Sequence, residues 1–152
     1  MKILFVCTGN TCRSPMAAAL LKDMLKEKGI FNIKVESAGI AASPDQKANP
    51  LSSQVMEEQG IQITDHRTRQ IQADQLKQAN LILTMTEGHK TAVLSGEPSV
   101  WNNIFTLNEY AEMEEKDIPD PYGLSKQEYQ ITAHKIRSAL EKVIDKLKDS
   151  KS

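Results

Sequence analysis

Lys2-Ile3-Leu4-Phe5-Val6-Cys7-Thr8-Gly9-Asn10-Thr11-Cys12-Arg13-Ser14 sets the frame of the chain. Ile3 to Val6 is a short apolar, β-branched and aromatic run, which predicts a buried strand. Small polar residues around Gly9 follow at once. From Ser14 onward Met16, Ala17, Ala19, Leu20, Leu21, Met24 and Leu25 recur at helical spacing. Pro15 suits a first helical turn, where no backbone N–H is required, and Gly29 supplies a stop. A strand, a tight loop and a helix N-terminus in succession make an anion cradle. Unpaired N–H groups converge there, and the helix dipole adds positive partial charge.

The loop also carries reactive chemistry. Cys7 falls where the strand ends, and Arg13 follows after five intervening residues. In a loop curled around an anion, that interval returns the guanidinium to the side of the sulfur. Arginine presents a planar fork matched to two phosphate oxygens. A thiol at a helix N-terminus beside a cation is nucleophilic near neutral pH. Ser14 is placed to hydrogen-bond the sulfur, as thiolate or as leaving group. Thr8, Gly9, Asn10, Thr11 and Cys12, with Ser14, are the expected binding wall for a phosphoryl group. The loop lacks the Gly-Lys-Ser/Thr ending of a Walker A loop, and with Gly9 alone it is not a dinucleotide fingerprint.

Length and composition narrow the setting. A chain of 152 residues suits one domain over 1–152 with one core, and the end from about 148 is expected to fray. A net charge of −1 gives no basic field for nucleic acid, and no apolar run is long enough to span a membrane. Met1 leads directly into the strand, so no signal peptide is expected. Two cysteines, one of them the expected nucleophile, argue against a disulfide scaffold and for a reducing, cytoplasmic compartment. No cofactor or metal is expected, and the chain is expected to act as a monomer.

Further strands are predicted at 33–37, 81–85 and 104–107, and helices from Pro50 (capped by Asn49) to Gly60, over 73–79 and over 86–94. Glu109 to Asp120 reads as an acidic, irregular loop. Ser125 and Glu128 have capping-box spacing, and open a terminal helix with Ile131, Ile136, Leu140, Val143, Ile144 and Leu147 on its apolar face. Strands separated by helices imply an α/β fold with a parallel sheet covered on both faces. Ligands in such folds sit at the carboxyl ends of strands, where Cys7 falls.

The run Cys7-Thr8-Gly9-Asn10-Thr11-Cys12-Arg13-Ser14-Pro15 resembles the phosphate loop of the low-molecular-weight protein-tyrosine phosphatase family, and within it the bacterial protein-arginine phosphatases. The resemblance covers nearly the whole chain. It implies a three-layer, flavodoxin-like fold with a four-stranded parallel sheet, and a cysteine phosphatase acting on phosphorylated proteins. Asp120-Pro121-Tyr122-Gly123 matches the family's acid loop, which makes Asp120 the general acid and base and Tyr122 a substrate-binding wall. Asp117 reads as a solvated loop carboxylate, and His89 and Lys90 as solvated helix residues. Asn10 is expected to hold the loop geometry through polar neighbours, with Ser37 and His66 resembling its partners in the family.

Thr11 is the departure that bears on substrate. Tyrosine-directed relatives tend to carry a bulkier aliphatic residue there, and many have two adjacent aromatics where this chain has Tyr122 followed by Gly123. Both features resemble the protein-arginine phosphatases, so phosphoarginine is expected over phosphotyrosine. Thioredoxin-coupled arsenate reductases share a similar loop but need later cysteines, and none follows Cys12. Cys7 and Cys12 lie close enough in sequence for a redox-regulating disulfide, against the plainer reading of Cys12 as a buried packing residue.

Overall fold

β1 (Lys2–Cys7), β2 (Lys34–Gly39), β3 (Leu81–Thr84) and β4 (Ile104–Thr106) form one parallel sheet in the order β2-β1-β3-β4. These elements belong to a computed structural model that describes residues 1–149. The helices are α1 (Arg13–Glu27), α2 (Pro50–Glu58), α3 (Ala73–Gln78), α4 (Glu87–Gly96), α5 (Leu107–Tyr110) and α6 (Lys126–Asp149). The predicted α/β class and four-stranded parallel sheet are therefore observed.

β1 lies between β2 and β3, with Cys7 opposite Gly39 and Val6 opposite Thr84. A strand covered on both faces needs apolar residues at every position, which is why Ile3 to Val6 is unbroken. Ile3, Phe5 and Cys7 pack among residues of α1, α2 and α6. Leu4 and Val6 point the other way, to Leu76 of α3, Val93 of α4 and Val100. Each of these large side chains contributes about 1.5–3 kcal/mol by leaving water. The chain leaves β1 toward β2 on one side, and β3 lies on the other. The carboxyl end of β1 is thus a topological switch point, where a cleft opens between diverging connections.

Local signals act as the sequence implies at several ends. Asn49 caps α2 by accepting from the Leu51 amide at 2.9 Å, with Pro50 next. Gly29, at φ 71°, follows α1 in the left-handed region.

Other expectations need correction. The segment 109–120 is not irregular throughout. Thr106 and Glu109 form a reciprocal capping box that opens α5, and this also ends β4 at Thr106. At α6 only half of such a box forms: the Glu128 amide donates to Ser125 Oγ at 3.4 Å. Ile131 lies outside the buried stripe of α6. It stands two residues, hence about 200°, from Ala133, which is fully buried. Tyr129, Thr132 and Ala139 join the buried face instead. Helix α6 continues through Lys148 and Asp149, and the rest of the predicted frayed end lies outside the described residues. Among the described residues, no helix is long and apolar enough to cross a membrane.

Candidate active site

The loop between β1 and α1 is shaped by where its carbonyls go. Cys7 O accepts from the Ile40 amide at 3.0 Å, Thr8 O from Ala41 at 2.9 Å and Thr11 O from Asn49 at 2.9 Å. Asn10 O is bonded to His66 Nε2 at 2.8 Å. In a trans peptide the N–H points opposite the carbonyl. With the carbonyls of residues 7, 8, 10 and 11 turned outward onto neighbouring segments, the amides of residues 8, 9, 11 and 12 point the other way, into the curve of the loop. No side chain caps the N-terminus of α1, so its first-turn donors also remain for a ligand.

Asn10 holds the curve. It is fully buried with φ 59°, a left-handed conformation that Asn tolerates better than most residues. Its Nδ2 donates to Ser14 Oγ at 2.8 Å and Ser37 Oγ at 3.0 Å, and its Oδ1 accepts from the Arg69 amide at 3.0 Å. Ser37 and His66 thus stand beside Asn10 as the resemblance implied. Gly39 completes the support from β2. A Cβ there would lie 2.5 Å from Thr8 O and 3.0 Å from Asn10 N, so only glycine lets the strand pass this close.

Inside the curve, Cys7 Sγ is 2.9 Å from Ser14 Oγ. Arg13 is 4% exposed. Its Nη1 donates to Ile118 O at 2.8 Å, and its Nη2 is 3.7 Å from Asp120 Oδ2. The Asp120 side chain is half exposed, and its Oδ1 accepts from the Tyr122 amide at 3.1 Å, a turn that orients the carboxylate. Cys7, Thr8, Gly9, Thr11, Cys12, Arg13, Asp120 and Tyr122 line one cleft of about 200 Å³. Residues more than a hundred positions apart in sequence therefore share one small space. Asn10 and Ser14, also expected at the site, stand behind the loop as its supports.

Asp117 is exposed in its loop, as expected, whereas Lys90 and His89 are placed differently from the sequence reading. Asp117 also accepts from the Glu87 amide at 2.9 Å and so tethers the segment before Asp120 to the N-terminus of α4. Lys90 pairs with Glu109 at 2.9 Å. His89 is buried, with Nε2 2.8 Å from Thr8 Oγ1. Burial and then the nearby Arg13 push its pKa down to about 4, while Asp117 and Asp120 oppose the shift. Helical spacing did not mark His89 as buried, since its partner lies on another element. Cys7 and Cys12 are both free thiols. Cys12 Sγ is 3.3 Å from the buried hydroxyl of Tyr129, whose pKa is raised by burial and then by Cys12. Ile118 and Tyr129 had no local signal in the sequence.

The family described as low molecular weight phosphotyrosine protein phosphatase matches over residues 2–152. A protein-arginine-phosphatase of Bacillus subtilis is 38% identical over 148 residues, covering 97% of each chain. The low molecular weight protein-tyrosine-phosphatase PtpB of Staphylococcus aureus is 38% identical over 145 residues, covering 95% of this chain and 98% of its own. A solved structure of the arginine phosphatase YwlE, a Cys-to-Ser mutant with a phosphorylated active-site serine, superimposes with a TM-score of 0.93 at 37% identity. It covers 97% of this chain and 96% of its own. The chain belongs to the low-molecular-weight phosphotyrosine protein phosphatase family.

Proposed function

We propose that this protein is a cysteine phosphatase that hydrolyses phosphorylated protein side chains, with phosphoarginine as the preferred substrate. The carrying observation is the cleft of about 200 Å³ in which Cys7, Arg13 and Asp120 meet, with Thr11 and Tyr122 in its wall.

The phosphoryl group binds in the curve of the loop, its non-bridging oxygens held by backbone N–H groups and the Arg13 fork. Cys7 Sγ, as the thiolate, attacks phosphorus in line. The bond from phosphorus to the leaving nitrogen or oxygen breaks, and Asp120 gives that atom its proton. Ser14 Oγ, 2.9 Å from the sulfur, stabilises its anionic form before and after transfer. In the second half, Asp120 takes a proton from water, the water oxygen attacks phosphorus, and the S–P bond breaks. Inorganic phosphate leaves and the thiolate is regenerated. The loop amides and Arg13 supply the positive charge in both halves.

The preference for phosphoarginine rests on Thr11, whose small hydroxyl-bearing side chain suits a planar, polar phosphoguanidinium better than an aromatic ring. The 36% and 38% identities to proteins named protein-arginine-phosphatase favour the same reading. Phosphotyrosine is the second reading, favoured by the similarity to PtpB. Turnover of matched phosphoarginine and phosphotyrosine peptides separates them, with higher kcat/KM expected for phosphoarginine. Cys7→Ser is expected to abolish turnover and keep phosphate binding, and full activity in that variant would overturn the scheme. The protein is proposed to act as a monomeric single domain in the cytoplasm, on phosphorylated protein partners.

A further inference from the structure

His89 is a buried ionisable side chain beside the cradle that the hydrolytic scheme leaves unused. It occupies the first turn of α4 and is 5% exposed. Its Nε2 is bonded to Thr8 Oγ1 at 2.8 Å, while its Nδ1 is buried without a partner. Thr8 is the first residue after β1 and borders the same cleft as Cys7 and Arg13. With its pKa pushed down to about 4, the ring is neutral at neutral pH. One nitrogen then donates and the other accepts.

The surroundings decide which. A proton on Nδ1 would leave a buried N–H unmatched, with Arg13 on one side of the balance of nearby charge and Asp117 and Asp120 on the other. An orphaned buried N–H is costlier than an orphaned lone pair, which favours Nδ1 as the bare nitrogen. The proton therefore belongs on Nε2, from which it is donated to Thr8 Oγ1. A hydroxyl whose oxygen accepts from a ring N–H keeps its own proton for another acceptor.

We propose that His89 is a positioning residue for the phosphate loop: its Nε2–H holds Thr8 Oγ1 so that the Thr8 hydroxyl donates to a non-bridging oxygen of the bound phosphoryl group. The proposal rests on the anion-cradle reading and is independent of which side chain carries the phosphate. It makes α4, an element outside the loop, part of the apparatus that sets phosphate affinity.

Inorganic phosphate, used as a competitive inhibitor of p-nitrophenyl phosphate hydrolysis, reads the cradle without a protein substrate. His89→Leu removes the donor and is expected to raise the phosphate inhibition constant and KM together, about tenfold, with kcat moving far less. His89→Gln retains an N–H near the Nε2 position and is expected to recover phosphate affinity to within about threefold of the wild type. Thr8→Val is expected to match His89→Leu, and the double variant to add nothing, because both remove the same hydroxyl contact. Nitrogen-15 NMR of the wild type is expected to show His89 protonated at Nε2 and bare at Nδ1. The proposal is overturned by an Nδ1-protonated ring, or by a folded His89→Leu that phosphate inhibits as well as the wild type. Should His89→Leu not fold, Thr8→Val decides: unchanged inhibition in that variant overturns the proposal. A wild type that phosphate does not inhibit would overturn the cradle reading itself, a result distinct from failure of the variants alone.

Discussion

Arg13 Nη1 donates to the carbonyl oxygen of Ile118 at 2.8 Å, and so binds the loop after β1 to the segment that carries Asp120. Ile118 is itself buried, and its amide donates to Met85 O at 2.9 Å, just past β3. The proposed nucleophile loop and acid loop are thus held in one frame, and the guanidinium that would grip phosphate is also the strut between them. Its two arms divide the work: Nη1 is committed to Ile118, while Nη2 faces Asp120 at 3.7 Å.

Arg13→Lys is therefore not conservative. An ammonium keeps the charge but cannot bond Ile118 and two phosphate oxygens in one plane. The expected result is a fall in kcat/KM on the order of 10²–10³. Steady-state kinetics with a phosphopeptide measures it, and a variant near wild-type efficiency would remove Arg13 from the transition state.

Asn10→Ala tests the support of the loop. It strips donors from Ser14 and Ser37, leaves the Arg69 amide without its acceptor, and puts alanine at φ 59°. A loss of about 2–4 kcal/mol in unfolding free energy is expected, together with weaker phosphate binding. Urea denaturation, with and without phosphate, reads both. Unchanged stability would mean that the loop holds its own shape.

Acid should weaken the fold through buried His89 and half-buried His66. His66 and His89 both have lowered pKa values, burial being the first cause in each. The unfolded chain takes up a proton at each ring below about 6.5, whereas folded His89 resists until about 4. The unfolded state then binds more protons, so this stability is complete above pH 6.5 and is lost as pH falls toward 4. For His89 the loss is on the order of 3 kcal/mol. His89→Gln should lose correspondingly less stability between pH 7 and 4.5, measured by chemical denaturation. Equal slopes for the two proteins would contradict the assignment.

Substrate choice is tested at Thr11, which lines the cleft with Tyr122. Thr11→Ile exchanges a hydroxyl for apolar bulk and should shift the ratio of kcat/KM toward phosphotyrosine over phosphoarginine, by about tenfold. Assays on the paired peptides measure the ratio, and no movement would remove Thr11 from the argument for substrate.

The Cys7–Arg13 loop, its flanking strand and helix and the parallel α/β class were legible in the chain alone. Each is written in neighbouring residues, as an apolar run, a change of period or a spacing along one loop. Ends of elements were less legible where two local signals competed: Thr106 and Glu109 cap α5 where acidity alone read as loop, and Ile131 is apolar yet sits off the buried stripe. The tertiary structure alone decided that His89 is buried against Thr8, that Arg13 reaches Ile118 and that Cys12 meets Tyr129, pairs separated by 81, 105 and 117 residues. Periodicity reports which face of an element turns inward, but a hydrogen bond between elements depends on how the sheet brings their ends together. At the switch point beside β1 that convergence joins the loop, the first turn of α4, the segment around Ile118 and α6, because parallel strands deliver their carboxyl ends to the same edge of the sheet.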